Sequence, residues 1–553
     1  MYSKIDTDKP TLAIYGIQDR EDHDYPFYVH DHNLCLMKSG QVSEFLQLER
    51  ITRRKRDNRL PEFLADLVRG HHWVDQPVDL VIVDNVVGRA FINRQGNIRF
   101  EAPLCSELAS GWERGHAWWF GREPNAWVLN HELAHLFSCV PFFGMFKDNS
   151  LLVHFDGGAS QSNFSAWLFR NQQLTKLEAH WNYRYLTALF NANALVFSVI
   201  GTGRQQQNSV PGKMMGLAAY GTYRPELEKW LAVNDFFSTI WGKTAVFFQK
   251  VKQDWGLSIN SFDQKNGFLQ DCMATIHELF VRETLGIFSR LKMETKLDCL
   301  YYAGGCALNI VTNTRLLQSG LFNEIYIPPC PEDSGLSLGA ATYAEWQKGH
   351  QLKLHSPWLN SWGLPLEKEH WSRSNVAEVA RAVADGAILG VCMGNGEAGP
   401  RALGNRSLIC RADRKDLAQK VSIVHKKREW YRPVAPVMLA TNTRYFTGQK
   451  EVSPLSRYML LDFAVLPSRR RELAGAVHVD GTARIQTLFG REDHPFLWDV
   501  LTLLDAEYNI RALINTSFNG RGMPIVHTEE DACAAARAMR LDGLVLHGRM
   551  VDV

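Results

Sequence analysis

Short apolar runs closed by turns alternate along this chain with longer stretches that suit helices, and no other feature constrains its fold as much. Thr11 to Gly16 reads as a strand, and LCLMKSGQVSEFL reads as a hairpin whose turn signals run from Lys38 to Gln41. VDLVIVDN at 78–85, LLVHFDGG at 151–158 and CLYYAGG at 299–305 each read as a buried strand running into a turn. Between them, 163–190 and 265–292 are helix-compatible. Strands alternating with helices predict an α/β fold, and the opening hairpin predicts a mixed sheet.

At 553 residues the chain exceeds what one hydrophobic core usually serves, so at least two domains are expected. The stretch HSPWLNSWGLPLEKEHWSRSN, rich in Pro, Trp, Ser and charge, predicts a linker at 356–375 between units at 1–355 and 376–553. There is no short-period repeat, which argues against a solenoid. With 61 basic and 59 acidic residues there is no single-sign field for nucleic acid or an anionic membrane, so small molecules are the expected partners. The polar start and the lack of an apolar run near the roughly 20 residues of a spanning helix predict a cytoplasmic protein. Ten cysteines without a CxxC pair read as reduced thiols. Trp112, Trp118, Trp119 and Trp127 read first as core packing and second as an aromatic wall for a flat ligand.

Four residues separate His131 from His135 in VLNHELAHLF, so a helix would stack both imidazoles on one face where they can hold one metal ion. Read literally this is HExxH, the zinc-protease pattern with Glu132 as general base. Two polar surface histidines are the plainer alternative. The extended protease form is absent, because Ser138 stands at its glycine position and Pro141 follows. Glycine turns recur after apolar runs at Gly157-Gly158, Gly201-Thr202-Gly203 and Gly304-Gly305, where backbone amides can approach phosphate or ribose. With Asp156 and Asp333 they suggest two lobes closing over a nucleotide. Neither a Walker A sequence nor GxGxxG is present.

Taken in order, HDHNLCLMKSGQV, LERITRRKRDNRLP, NHELAH, HFDGG, PGKMMGLAAYG, AGGCALNIVTN, PEDSGLSLGAA, GEAGPRALGNRS, KKREWYRPVAPV, HVDGTARIQT and NTSFNGRGMPIV resemble the carbamoyltransferases that modify antibiotics and nodulation factors. The resemblance spans about residues 12–548. It implies a Kae1-like domain with an actin-like ATPase fold, followed by a YrdC-like domain. It also implies ATP-dependent activation of carbamoyl phosphate as carbamoyl adenylate and transfer to a hydroxyl or amine of a small specialised metabolite. A tRNA threonylcarbamoyl-type transferase, which shares both domain types, is the alternative, with the metalloprotease behind it.

Carried over by motif, the metal ligands would be His131, His135, Asp156 and Asp333, holding Fe2+, or Mn2+ or Zn2+. Gly157, Gly158, Gly304, Gly305 and Asn309 would bind ATP. His30 would take the acceptor's proton and Lys55 would join it in catalysis. Arg401, Lys426, Arg432 and Arg484 would grip carbamoyl phosphate, with Ser517 supplying a hydroxyl. A homodimer is a further expectation. The chain departs from the family pattern at Glu132, where a second histidine is common, at HFDGGASQ, and in the lengthened segment QDREDHDYPFYVHDH before His30.

Overall fold

Two sheets in the first 330 residues repeat one strand order. The first runs β3-β2-β1-β4-β8-β7-β6-β5 from β1 (Thr11–Tyr15), β2 (Asn33–Lys38), β3 (Gln41–Gln47), β4 (Asp79–Val83), β5 (Ala90–Ile92), β6 (Ile98–Glu101), β7 (Trp112–Trp119) and β8 (Ala126–Leu129). The second runs β11-β10-β9-β12-β13 from β9 (Ser150–Phe155), β10 (Phe164–Arg170), β11 (Gln173–His180), β12 (Cys299–Ala303) and β13 (Glu324–Tyr326). In each, an antiparallel meander of three strands is followed by two strands added parallel on the free side of the first. This duplication is the topology expected of an actin-like ATPase unit. The computed structural model describes residues 8–16, 29–71, 73–85, 90–102, 111–202, 204–237, 243–365 and 370–553. His23 and most of the lengthened segment before His30, Gly203, and residues 366–369 of the expected linker lie outside them.

The central strands β1, β4, β9 and β12 are buried at every residue, which is why they read as unbroken apolar runs. A third sheet carries, in spatial order, Gln486–Leu488, Ala435–Leu439, Leu513–Ser517, Arg406–Arg411, Leu389–Cys392, Gly543–Leu546 and Arg549–Val551. One apolar core joins residues of the second and third sheets, from Phe155 and Leu300 to Cys410 and Ile514. The stretch before the third sheet is packed against both sides. Leu359, Asn360 and Trp362 are buried, and the Asn360 amide donates to Gln47 Oε1 and to the Glu397 carbonyl, both at 2.6 Å.

The helix expected over 163–190 is corrected by the structure. Residues 164–180 form the hairpin β10–β11, and a helix occupies only Arg184–Asn191. Asn171 and Gln172 make its two-residue turn with φ of 50° and 59°, the twist that favours tight hairpins. The 265–292 expectation corresponds to a helix at Gly267–Thr295, capped by Asn266. Of the tryptophans, Trp112 stacks on Trp127 at 5.1 Å and Trp119 is buried, whereas Trp118 is exposed. Trp112, Trp119 and Trp127 serve packing, and none of the four lines either cavity described below.

Candidate active site

Five helices frame the site: α1 (His131–Phe137), α2 (Val210–Ala218), α3 (Gly267–Thr295), α4 (Ile310–Gln318) and α5 (Leu336–Gln347). Helix α1 starts where Asn130 caps it, its side chain accepting from the Leu133 amide at 2.9 Å. α5 lies directly on α1, because at Gly339 a Cβ would stand 1.8 Å from the Ala134 carbonyl oxygen. Only glycine permits that approach, and it carries Asp333, in the turn leading into α5, up to the two histidines.

His131 Nε2 lies 3.4 Å and His135 Nε2 3.5 Å from Asp333 Oδ1. Ligand atoms of these three residues fall within 4.8 Å of one another. The ring nitrogens of both histidines are buried without hydrogen-bond partners, a costly arrangement that a cation would relieve. The donor set therefore fits a divalent metal ion. Asp156, the fourth residue expected there, lies outside this compact group. Its Oδ2 is 3.8 Å from His135 Nε2 and accepts from the Gly305 amide, while its Oδ1 accepts from the Gly157 amide.

Two residues the sequence did not single out complete this region. The Tyr15 hydroxyl donates to Asp333 Oδ2 at 2.7 Å, orienting the carboxylate. His154, fully buried, stacks on His135 at 5.1 Å with both ring nitrogens unpartnered. Tyr15 sits in the first predicted strand and His154 in HFDGG, but only folding reveals what they face. Burial works against the charge of Asp333, yet His30 and His131 outweigh it and hold the carboxyl well below its ordinary range. Burial likewise disfavours charge on His30, but Asp333 and Asp31 outweigh it and lift the imidazole to about 9. His30 Nδ1 is 2.8 Å from Asp31 Oδ2 and 3.8 Å from Asp333 Oδ2.

Glu132 faces elsewhere. Its Oε1 accepts from the Gln161 amide and the Ser162 hydroxyl, both at 2.9 Å, binding the loop after β9 to α1. A protease base would have to face a reacting water, and Glu132 lines neither cavity. Glu132→Ala, which strands the buried Ser162 hydroxyl and the part-buried Gln161 amide, is expected to lower stability by about 1–3 kcal/mol in urea unfolding while leaving bound metal per chain unchanged. Loss of the metal with unchanged stability would contradict this role.

Two cavities meet above these groups. The larger, about 950 Å³, is lined by His30, Asp156, Gly157, Gly158, Gly305, Asn309 and Asp333. Gly304 does not line it. A Cβ there would come 2.2 Å from the Phe155 carbonyl oxygen, so this glycine with φ of 100° serves close backbone packing. The smaller cavity, about 490 Å³, is lined by Arg401, Lys426, Arg432, Arg484 and Ser517. Lys55, Arg401, Arg432 and Ser517 line both.

Buried basic side chains crowd the smaller cavity. Arg484 is pushed far down by burial and by Arg401, Arg428 and Arg432, and no carboxylate offsets them. Arg401 falls to about 10 through burial and Arg432, and Lys55 to about 8 through burial and Arg56. The Nε atoms of Arg401 and Arg484 are buried without partners. Lys426 is anchored by Asn519 Oδ1 at 2.7 Å and the Asn519 carbonyl at 2.9 Å. Arg428, pushed to about 9 by burial and Arg432, belongs to the cluster and was not singled out from sequence, although it shares HKKREWYRP with Lys426 and Arg432. Cations outnumber carboxylates in this cavity, where Glu429, Asp462 and Asp480 face a larger set of lysines and arginines, and such an excess suits a multiply charged anion.

Two family models match parts of the chain. Residues 122–342 match the family model described as carbamoyltransferase N-terminus, and residues 380–552 match carbamoyltransferase C-terminus. The chain belongs to the carbamoyltransferase family. The nodulation protein NolNO of Sinorhizobium fredii is 27% identical over 95% of this chain and 79% of its own length. Nodulation protein U of Azorhizobium caulinodans is 25% identical over 93% of this chain and 96% of its own length. Full-length HypF in its phosphate- and nucleotide-bound form superposes over 62% of this chain and 56% of its own, at 12% identity and a TM-score of 0.32, and assigns no function here. No described helix of this carbamoyltransferase is long and apolar enough to cross a membrane.

Proposed function

We propose that this carbamoyltransferase converts carbamoyl phosphate and ATP to carbamoyl adenylate and passes the carbamoyl group to a hydroxyl, or by the same chemistry an amine, of a small specialised metabolite. The observation that carries the reading is the junction of the two cavities. A cation-lined pocket suited to a phosphorylated donor opens, across Arg401, Arg432 and Lys55, onto a pocket walled by glycine turns, Asp156 and Asp333. In this reading residues 376–553, with Arg401, Lys426, Arg432, Arg484 and Ser517, hold the donor, and residues 1–355 hold the nucleotide and acceptor.

The reaction consumes one water and releases inorganic phosphate from the donor and pyrophosphate from ATP, leaving the carbamoyl group on the α-phosphate of AMP. The basic cluster binds and orients the departing phosphate. The Gly157-Gly158 turn and Gly305, which carry no side chains, let a nucleotide approach the backbone closely. A divalent metal ion would be held by His131, His135 and Asp333, with Asp156 beside them. When bound, a divalent cation supplies charge that polarises a carbonyl or phosphoryl oxygen and takes up the Asp333 charge that otherwise lifts His30. His30 then accepts the proton of the acceptor hydroxyl as that oxygen attacks the carbonyl carbon, and AMP leaves.

Incubation with ATP and carbamoyl phosphate is expected to yield carbamoyl adenylate and pyrophosphate, read by mass spectrometry and a pyrophosphate assay. His30→Ala is expected to keep adenylate formation within about twofold and to slow transfer about a hundredfold or more. An absence of adenylate from metal-loaded, folded protein would overturn the activation step. Equal loss of both steps in His30→Ala would overturn the role of His30.

A further inference from the structure

We propose that Lys213 is a positioning residue for the anion site, neutralising Glu429 so that Arg432 is left to face the bound anion. The inference rests on the reading of the basic cavity as the donor site. Lys213 lies on α2, in the first half of the chain, and Glu429 and Arg432 lie in the second. Its ammonium is 3.1 Å from Glu429 Oε1 and donates to Thr202 Oγ1 at 3.1 Å. The other carboxylate oxygen, Glu429 Oε2, is 3.4 Å from Arg432 Nη1. Lys213 and Glu429 are largely buried, with side-chain exposures of 9% and 16%.

Two further contacts lie near the same face of α2 and its continuation. At Gly216 a Cβ would sit 3.4 Å from the Tyr431 carbonyl oxygen and 3.6 Å from its ring, so the helix backbone rests on the basic loop. Tyr220 meets Trp430 edge to face at 4.9 Å. Positions 213, 216 and 220 follow helical spacing, so one face of the first half braces residues 429–433 of the second.

The chemistry explains why the brace includes a lysine. Glu429 is a carboxylate in a cavity whose other charged walls include Lys55, Arg401, Lys426, Arg428, Arg432 and Arg484. Burial works to raise its pKa, but backbone hydrogen bonding, Lys213 and Arg432 outweigh that and hold it below its ordinary value, so the group is charged. Left alone, it would compete with an incoming phosphate for the Arg432 guanidinium. Lys213 gives it a cation of its own, supplied from the half of the chain that carries the transfer site.

The test is equilibrium binding of inorganic phosphate and carbamoyl phosphate to the full chain by calorimetry, with thermal unfolding measured beside it. Lys213→Met is expected to weaken phosphate binding about tenfold, and adding Glu429→Gln to it is expected to restore binding to within about threefold of the parent. Rescue by removal of the partner is what neither a direct lysine ligand nor a purely structural lysine would give. Unchanged binding in Lys213→Met, or no rescue in the double variant, overturns the proposal. Should Lys213→Met not fold, Glu429→Gln alone decides: it is expected to bind phosphate at least as tightly as the parent, and weaker binding overturns the proposal. Arg401→Ala separates this from the underlying reading. Phosphate binding that survives Arg401→Ala removes the donor site itself, whereas binding lost there but unchanged in Lys213→Met removes only the role of Lys213.

Discussion

Arg401→Ala is expected to lower carbamoyl adenylate formation about a hundred- to a thousandfold, the range seen when one preorganised donor to a developing charge is removed. The guanidinium lines both cavities, as Lys55 and Arg432 do, and so is positioned to follow the phosphate from the donor pocket toward the nucleotide pocket. Phosphate binding should report the same loss without turnover. In the parent, phosphate at a hundred times its Kd should add about 2.7 kcal/mol of stability, and in Arg401→Ala that gain should vanish. The ligand-free protein should respond in the opposite sense when Arg484 is replaced by alanine. Its charge is opposed by burial and by three neighbouring arginines, so removing it should stabilise the empty chain while abolishing the phosphate-induced shift. An unaltered phosphate shift in both variants would place the donor elsewhere.

Asp333→Asn carries the second large effect, on the metal. Asp333 is the carboxylate common to both histidines, and its oxygens also meet Tyr15 and His30. The amide nearly preserves shape and can still accept from Tyr15, but it removes the charge that two imidazoles and a dication share. Metal affinity is expected to fall by more than about a hundredfold, beyond the loss typical of a supporting hydrogen bond, and elemental analysis after dialysis should find the variant empty. The fold should survive, because the carboxylate lies among groups that repay its burial only through His30, His131 and His135. Full metal occupancy in Asp333→Asn would transfer the site to Asp156 and the buried His154.

Much of the architecture was legible because buried parallel strands leave little choice of residue. The apolar runs at 11–16, 78–85, 151–158 and 299–305 correspond to β1, β4, β9 and β12, four strands that are buried at every position. The hairpin at 164–180 escaped because its turn is Asn171-Gln172, without the glycine that usually marks such a turn, and because no residue of β11 is buried, so no apolar alternation marks it as a strand. At the site, the i, i+4 spacing of His131 and His135 was visible as a shared helix face. Gly304 read as part of a phosphate turn, and the packing demand on it was not legible, since the Phe155 carbonyl that a Cβ there would strike is 149 positions away in the chain.

By itself the sequence determined an α/β chain with a two-histidine helix face, a set of glycine turns and scattered arginines, because strand burial, helical spacing and turn chemistry act over a few residues. It left open whether Glu132 was a protease base, and it treated Arg401, Lys426, Arg432 and Arg484 as separate positions joined only by a resemblance. The tertiary structure decided those matters. It turned Glu132 into the anchor of the Gln161–Ser162 loop, brought Asp333 to His131 across the contact at Gly339, and gathered the cations into one cavity braced by Lys213. The reason is physical: burial and the fields of neighbouring charges depend on distances in space, and residues far apart in the chain acquire those distances only when it folds.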